Sequence, residues 1–219
     1  MHKLPLFPLN TVLFPGMPMS LHIFEERYKI MIRLCIDEQL PFGVVALQQG
    51  DEILRSGKQA VPYLVGCTAH ITQVQHLVEG RMNITAVGQE RFRIERFETH
   101  QPYLVGVVEN FPYTPDDTQV LLHADRRLRP WVERYLQNLG HAENMRLDIQ
   151  QMPREPTALA YLAASLLRVS VSEKQKLLAI PSVVELMERL RRTYRKEATL
   201  MEALNTMDKV KEQGPFSLN

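Results

Sequence analysis

The chain has 219 residues, 45% hydrophobic and 23% charged, with a formal net charge of +1. That supplies apolar material for one large or two small cores, and it leaves no charge excess to draw the molecule to nucleic acid or an anionic membrane. Halving the chain uncovers no hidden polyelectrolyte: residues 1–112 carry ten Lys/Arg against eleven Asp/Glu, and residues 113–219 carry sixteen against fourteen. No charge-free span approaches the roughly 20 residues of a membrane helix. Prolines interrupt the start before a signal-peptide core can form. Two cysteines make no disulfide framework, so the expected setting is a reducing cytoplasm.

The stretch from Leu4 to Tyr28 is almost wholly apolar, yet Pro5, Pro8, Pro15, Pro18 and Gly16 punctuate it. Proline fixes φ and removes a backbone donor, so short extended pieces joined by corners are expected. Pro15-Gly16 is a turn dipeptide. Behind it, Met19, Leu21 and Ile23 alternate on one strand face, with His22 on the other. Tyr28, Met31, Ile32 and Cys35 then recur at helical spacing. Phe42–Gln48 reads as a buried strand and Gly50–Gln59 as a polar surface loop. Leu64–Leu77 is a long strand, turned at Glu79-Gly80 into Arg81–Val87 as a hairpin. Arg91–Glu95 alternates, and Tyr103–Val108 is the last strand before Pro112 and Pro115.

After Pro115 the period becomes helical. Asp116-Asp117 begin a helix with Leu121, Leu128, Trp131, Tyr135 and Leu139 on one stripe, closed by Gly140. Residues 141–155 read as a connection. Pro156 suits the first turn of a helix carrying Leu159, Leu162 and Leu166. Ser172 with Gln175, and Ser182 with Glu185, have capping-box spacing. The last helix runs from Ser182 to about Lys209, with Val183, Met187, Leu190, Tyr194, Ala198 and Met201 on one side.

Several blocks, taken together, resemble one family. The run LPLFPLNTVLFPGMPMSLHIFEERY is similar to the opening of the N-terminal substrate-recognition domain of Lon, the ATP-dependent protease. Tyr63–Ile71 resembles its second strand block, Gly88–Ile94 its Gly-x-x-Arg-Phe block, Gln101–Val105 its Pro-Tyr-Leu block, and Glu173–Leu178 its Lys-Gln-x-Leu-Leu run. The five blocks stand in family order over residues 1–205. The resemblance and the strand pattern imply an α+β fold: an N-terminal PUA-like β pseudobarrel with one short helix over residues 1–115, a C-terminal helical bundle ending in a long helix over 116–210, and a flexible tail over 211–219. Pro15, Gly16, Glu25, Arg27, Tyr28, Gly88, Arg91 and Phe92 are the matching motif residues, expected to be structural. Glu25 suits a helix start and Arg27 can pair a carboxylate across the barrel.

Catalytic motifs of the family's other modules do not match. A phosphate-cradling loop needs glycine five residues before a Gly-Lys pair, and Gly57-Lys58 has Glu52 there. The resemblance therefore implies the recognition part of Lon standing alone, without ATPase or Ser-Lys protease, hence no enzyme and no cofactor. No metal site is expected either. His70 and His76 share a strand face about 20 Å apart, too far for one ion. Cys35 and Cys67 lie on apolar faces and read as inert buried thiols. The run Arg189, Arg191, Arg192, Arg195, Lys196 is interleaved with Glu185, Glu188 and Glu197 as a paired, solvated face.

The expected function is capture of unfolded or extended polypeptide segments, connected with protein turnover or quality control and with a separate ATP-dependent protease as a partner. Leu13, Phe14, Met17 and Phe24 are the candidate peptide-binding residues, because the turn at Pro15-Gly16 forces apolar side chains together where some must meet water. The Gly50–Gln59 loop would form the rim. The alternative is an RNA-binding PUA-like module, which rests on fold analogy and conflicts with the near-neutral charge.

Overall fold

The computed structural model describes residues 1–49, 61–142 and 152–212. The expected Gly50–Gln59 rim loop lies outside them, as do residues 213–219 of the tail expected over 211–219, whose first two residues are helical. The chain forms two compact units, one of Met1–Thr114 with Ala164–Pro181, the other of Pro115–Ala163 with Ser182–Asn219. The class is α+β.

Among the described residues the first unit holds seven strands: β1 (His2–Leu9), β2 (Pro18–Ile23), β3 (Phe42–Gln49), β4 (Val61–Pro62), β5 (Val65–His76), β6 (Met82–Glu98) and β7 (Leu104–Asn110). Their order is β1-β7-β6-β5-β3-β4, and an additional parallel β1–β3 pairing returns the ladder on itself. A returning ladder leaves fewer unpaired edges to template aggregation. β6 is long enough to serve two neighbours on one side, β2 over Met82–Val87 and β7 over Phe92–Glu98. The β5–β6 hairpin turns where expected, with Glu79 (φ 60°) and Gly80 (φ 67°) both left-handed.

Helix α1 (Glu26–Asp37) buries Tyr28, Met31, Ile32 and Cys35, the stripe expected from their spacing. These pack with Phe7, Leu9, Leu13, Ile23, Phe42 and Ile84 in one apolar cluster, while Leu4, Leu6, Val45, Phe92, Ile94 and Val108 form a second. Buried Lys29 ties α1 down, its ammonium donating to Glu26 at 2.8 Å and to the Glu79 carbonyl at 2.9 Å.

Helix α4 (Val171–Leu178) belongs to this unit. The sequence places residues 116–210 in a helical bundle; instead, two side chains hold the α4 segment to the sheet. Buried Gln175 donates to the Val65 carbonyl at 2.8 Å, and Arg91 donates to the carbonyls that end the helix. Ser170, accepting from the Glu173 N–H, is the N-cap; Ser172, expected in that role, lies inside the helix, because a cap must precede the first helical residue.

The second unit contains α2 (Thr118–Ala142), most of α3 (Pro156–Leu166) and α5 (Val183–Glu212). Tyr135 of α2 meets Tyr194 of α5 edge-on at 5.0 Å, and the Tyr194 hydroxyl donates to the Ala163 carbonyl at 2.7 Å. Pro130 lies within α2 on an exposed face and deprives the helix of one backbone donor. Asp117 caps α2 through the N–H groups of Gln119 and Val120, whereas Asp116 accepts from Val183 and Val184 at the start of α5. Ser182 with Glu185 forms the expected cap. Among the described residues no helix is long and apolar enough to cross a membrane.

Candidate functional site

The proline-broken opening folds as its residues dictate. Met17 N–H donates to the Phe14 carbonyl at 3.1 Å around Pro15-Gly16, with Gly16 at φ +76°, which is the turn that proline then glycine favour. This corner lies against β6: Gly16 N–H donates to the Gly88 carbonyl at 2.8 Å, and Gly88 N–H to the Met17 carbonyl at 3.0 Å. A Cβ at Gly88 would sit 2.4 Å from the Phe14 carbonyl oxygen.

That contact decides where the corner's side chains go. Leu13 and Phe14, expected to face water, are core residues, Phe14 being wholly buried. The turn points them inward because glycine at 88 lets the corner settle onto the sheet. Met17 is half-buried and receives a hydrogen bond from the Ser165 hydroxyl on Sδ at 3.3 Å. Neither Leu13 nor Phe14 can touch a partner in this structure.

Phe24 is different. It is 46% exposed and stacks on His22, ring centroids 5.8 Å apart. Beside it runs a furrow of about 220 Å³ between β2, the end of β1 and the start of α1. Phe7, Leu9 and Tyr28 supply apolar wall, and Phe7 stacks on Tyr28 at 4.0 Å. The motif residues Glu25 and Tyr28 line one edge, with Arg27 joined to both. Arg27 donates from Nε and Nη2 to Glu25 Oε2, both at 3.0 Å, and its guanidinium lies 4.4 Å over the Tyr28 ring. The expected partner for Arg27 was a carboxylate across the barrel; its neighbour Glu25 fills that role. Glu25 consequently leaves the first turn of α1 without a side-chain cap.

A wider, open groove of about 830 Å³ adjoins the furrow and shares Ser20, Leu21 and His22 with it. A polar row crosses three strands there. Asn83 Nδ2 donates to Gln75 Oε1 at 3.1 Å, which turns its Oδ1 toward His22 Nδ1 at 2.7 Å. That orientation assigns the imidazole proton to Nδ1. His22 is thus hydrogen-bonded, on the exposed strand face that the alternation predicts. Sequence reasoning did not find Asn83, Gln75 or Ser20, since their meeting depends on which strands are neighbours.

Of the other motif residues, Arg91 and Phe92 are buried. The Arg91 guanidinium lies 3.6 Å from the Tyr113 ring centroid and 4.7 Å from that of Phe111. Phe92 fills the centre of the second apolar cluster. Burial pushes the Cys35 thiol up to about 11 and the Cys67 thiol up to about 12. A thiol so placed is protonated at neutral pH and a poor nucleophile.

Residues 3–195 match the family described as the ATP-dependent protease La (LON) substrate-binding domain, and the chain belongs to that family. It is 26% identical over 211 residues to a Lon protease of Porphyromonas gingivalis, covering 91% of this chain and 24% of that protein. The chain thus spans about a quarter of that relative's length. The fold is also that of a Lon N-terminal domain protein from Xanthomonas campestris, at TM-score 0.60 and 24% identity over 87% of this chain and 97% of the other. The N-terminal domain of the Mycobacterium avium complex Lon protease is similar at TM-score 0.64 and 16% identity, over 89% and 98% of the two chains.

Proposed function

We propose that the sheet-containing unit is a non-catalytic recognition module that captures unfolded or extended polypeptide segments, and that it serves protein turnover by presenting them to a separate ATP-dependent protease. The observation that carries this reading is Phe24, an aromatic ring nearly half exposed beside an apolar furrow. Exposed aromatic surface next to a concave apolar wall is the usual anchor of a polypeptide interface. The family's substrate-binding description supports it. The returning sheet ladder supports the finer reading of a PUA-like pseudobarrel followed by a helical bundle.

Titration of fluorescein-labelled, unfolded casein tests the function. Saturable binding is expected, weakened about tenfold by Phe24→Asp, the loss that removing one interface anchor brings. Absence of binding by the wild-type protein would overturn the reading.

A further inference from the structure

We propose that the captured segment adds as a strand to the free edge of β2, and that this edge selects an uncharged stretch alternating apolar with hydroxyl or amide side chains. The proposal rests on the reading that the unit binds polypeptides, and it names how.

Three observations lead to it. First, the edge is open: among the described residues β2 pairs with β6 alone, in the register Met19–Ala86, Leu21–Ile84, Ile23–Met82. Gly88 N–H donates to the Met17 carbonyl, and antiparallel pairs alternate between bonded and non-bonded. The main-chain groups of Met19, Leu21 and Ile23 therefore point to β6, and those of Ser20 and His22 point away from it. Second, the furrow of about 220 Å³ runs along this edge, so an added strand has room and a wall of Phe7, Leu9 and Tyr28. Its side chains on the face of Met19, Leu21 and Ile23 would meet that wall. Those on the other face would extend the row formed by His22, Asn83 and Gln75.

Third, the charge pattern fixes the occupant. Among the described residues Glu25 is the one acidic group lining the furrow, and Arg27 already bridges it. A charged side chain on the inward face of an added strand would lose its hydration and gain no counterion. An apolar one loses nothing, and a hydroxyl or amide on the outward face finds hydrogen-bonding neighbours.

The test uses the whole chain and a short, uncharged, fluorescein-labelled peptide alternating Thr with Val and Leu, unmodified or N-methylated at alternate residues of one parity or the other. In strand addition one parity of N–H groups faces β2. Methylation of that parity should weaken binding about tenfold, and methylation of the other should change it less than about twofold. Ser20→Pro, which deletes an outward N–H on an edge strand, should give a similar loss with an unchanged melting temperature. Equal binding, or equal loss, for both methylated peptides overturns strand addition, while retained casein binding then leaves the capture reading standing. If neither peptide nor casein binds, both fall.

Discussion

Arg91 donates from Nη1 to the Leu178 carbonyl at 2.8 Å, joining residues 87 positions apart in sequence. The same nitrogen reaches the Ile180 carbonyl at 2.6 Å. A guanidinium at a helix C-terminus satisfies carbonyls that have no partner within the helix and meets the negative end of its dipole. This one residue of the Gly-x-x-Arg-Phe block thereby attaches α4 to the sheet.

Arg91→Met should therefore destabilise the protein by about 3 kcal/mol, from lost charge-assisted hydrogen bonds and ring contacts. Urea unfolding measures this. A change within about 0.5 kcal/mol would show that α4 is held by something else.

Gly88 and Gly16 make a contrasting pair. Alanine at 88 would drive its Cβ against the Phe14 carbonyl, a backbone atom that cannot swing aside, and should cost about 2 kcal/mol or more. Alanine at 16 meets open space and incurs only the left-handed backbone penalty of about 1 kcal/mol. Thermal melts of the two variants should rank Gly88→Ala as the less stable. The reverse order would remove the argument for why Leu13 and Phe14 face inward.

Asp116 accepts from the N–H groups of Val183 and Val184 and from the Ser182 hydroxyl. Asp116→Ala should cost about 1 kcal/mol as a lost helix cap. Asp117→Ala, acting on α2, should cost a similar amount, and chemical unfolding of each single variant measures the loss.

The buried thiols set an alkaline limit. Their ordinary value is 9.0, and the fold raises Cys35 to about 11 and Cys67 to about 12, both chiefly by desolvation. The folded state keeps protons that the unfolded state releases, so this stability is whole below pH 9 and drains as pH rises through about 11 to 12. Burial raises the Tyr194 hydroxyl too, with the same sign. Unfolding midpoints should fall across that window, and Cys67→Ala should flatten the fall. Thiol reagents at neutral pH should label neither cysteine until denaturant is added; rapid labelling of native protein would contradict the burial.

Local periodicity made much of this fold legible. The alternation of Met19, Leu21 and Ile23 and the stripe of Tyr28, Met31, Ile32 and Cys35 are set by residues within a turn or strand of one another. So is the Ser182–Glu185 cap. What sequence could not show depends on distant partners. The inward turn of Leu13 and Phe14 requires Gly88, and the attachment of α4 requires Arg91. The displacement of the α4 cap from Ser172 to Ser170 is smaller, a shift of two residues between serines on either side of Val171, where the helix begins. At the candidate site, Phe24 stands among the candidates together with Leu13, Phe14 and Met17, and no local signal sets its exposure apart from theirs. The furrow beside it was not legible either, because its walls come from β1, β2 and α1.

Polypeptide gripped at the β2 edge, as proposed, would lie within reach of position 24. A photocrosslinking amino acid placed there, with the same group at exposed Val120 of α2 as control, reads out that contact. Irradiation with unfolded casein should yield crosslinks from position 24, mapping to uncharged alternating segments, and few from position 120. Equal yields from both positions, or none from 24 while casein remains bound, would contradict the account.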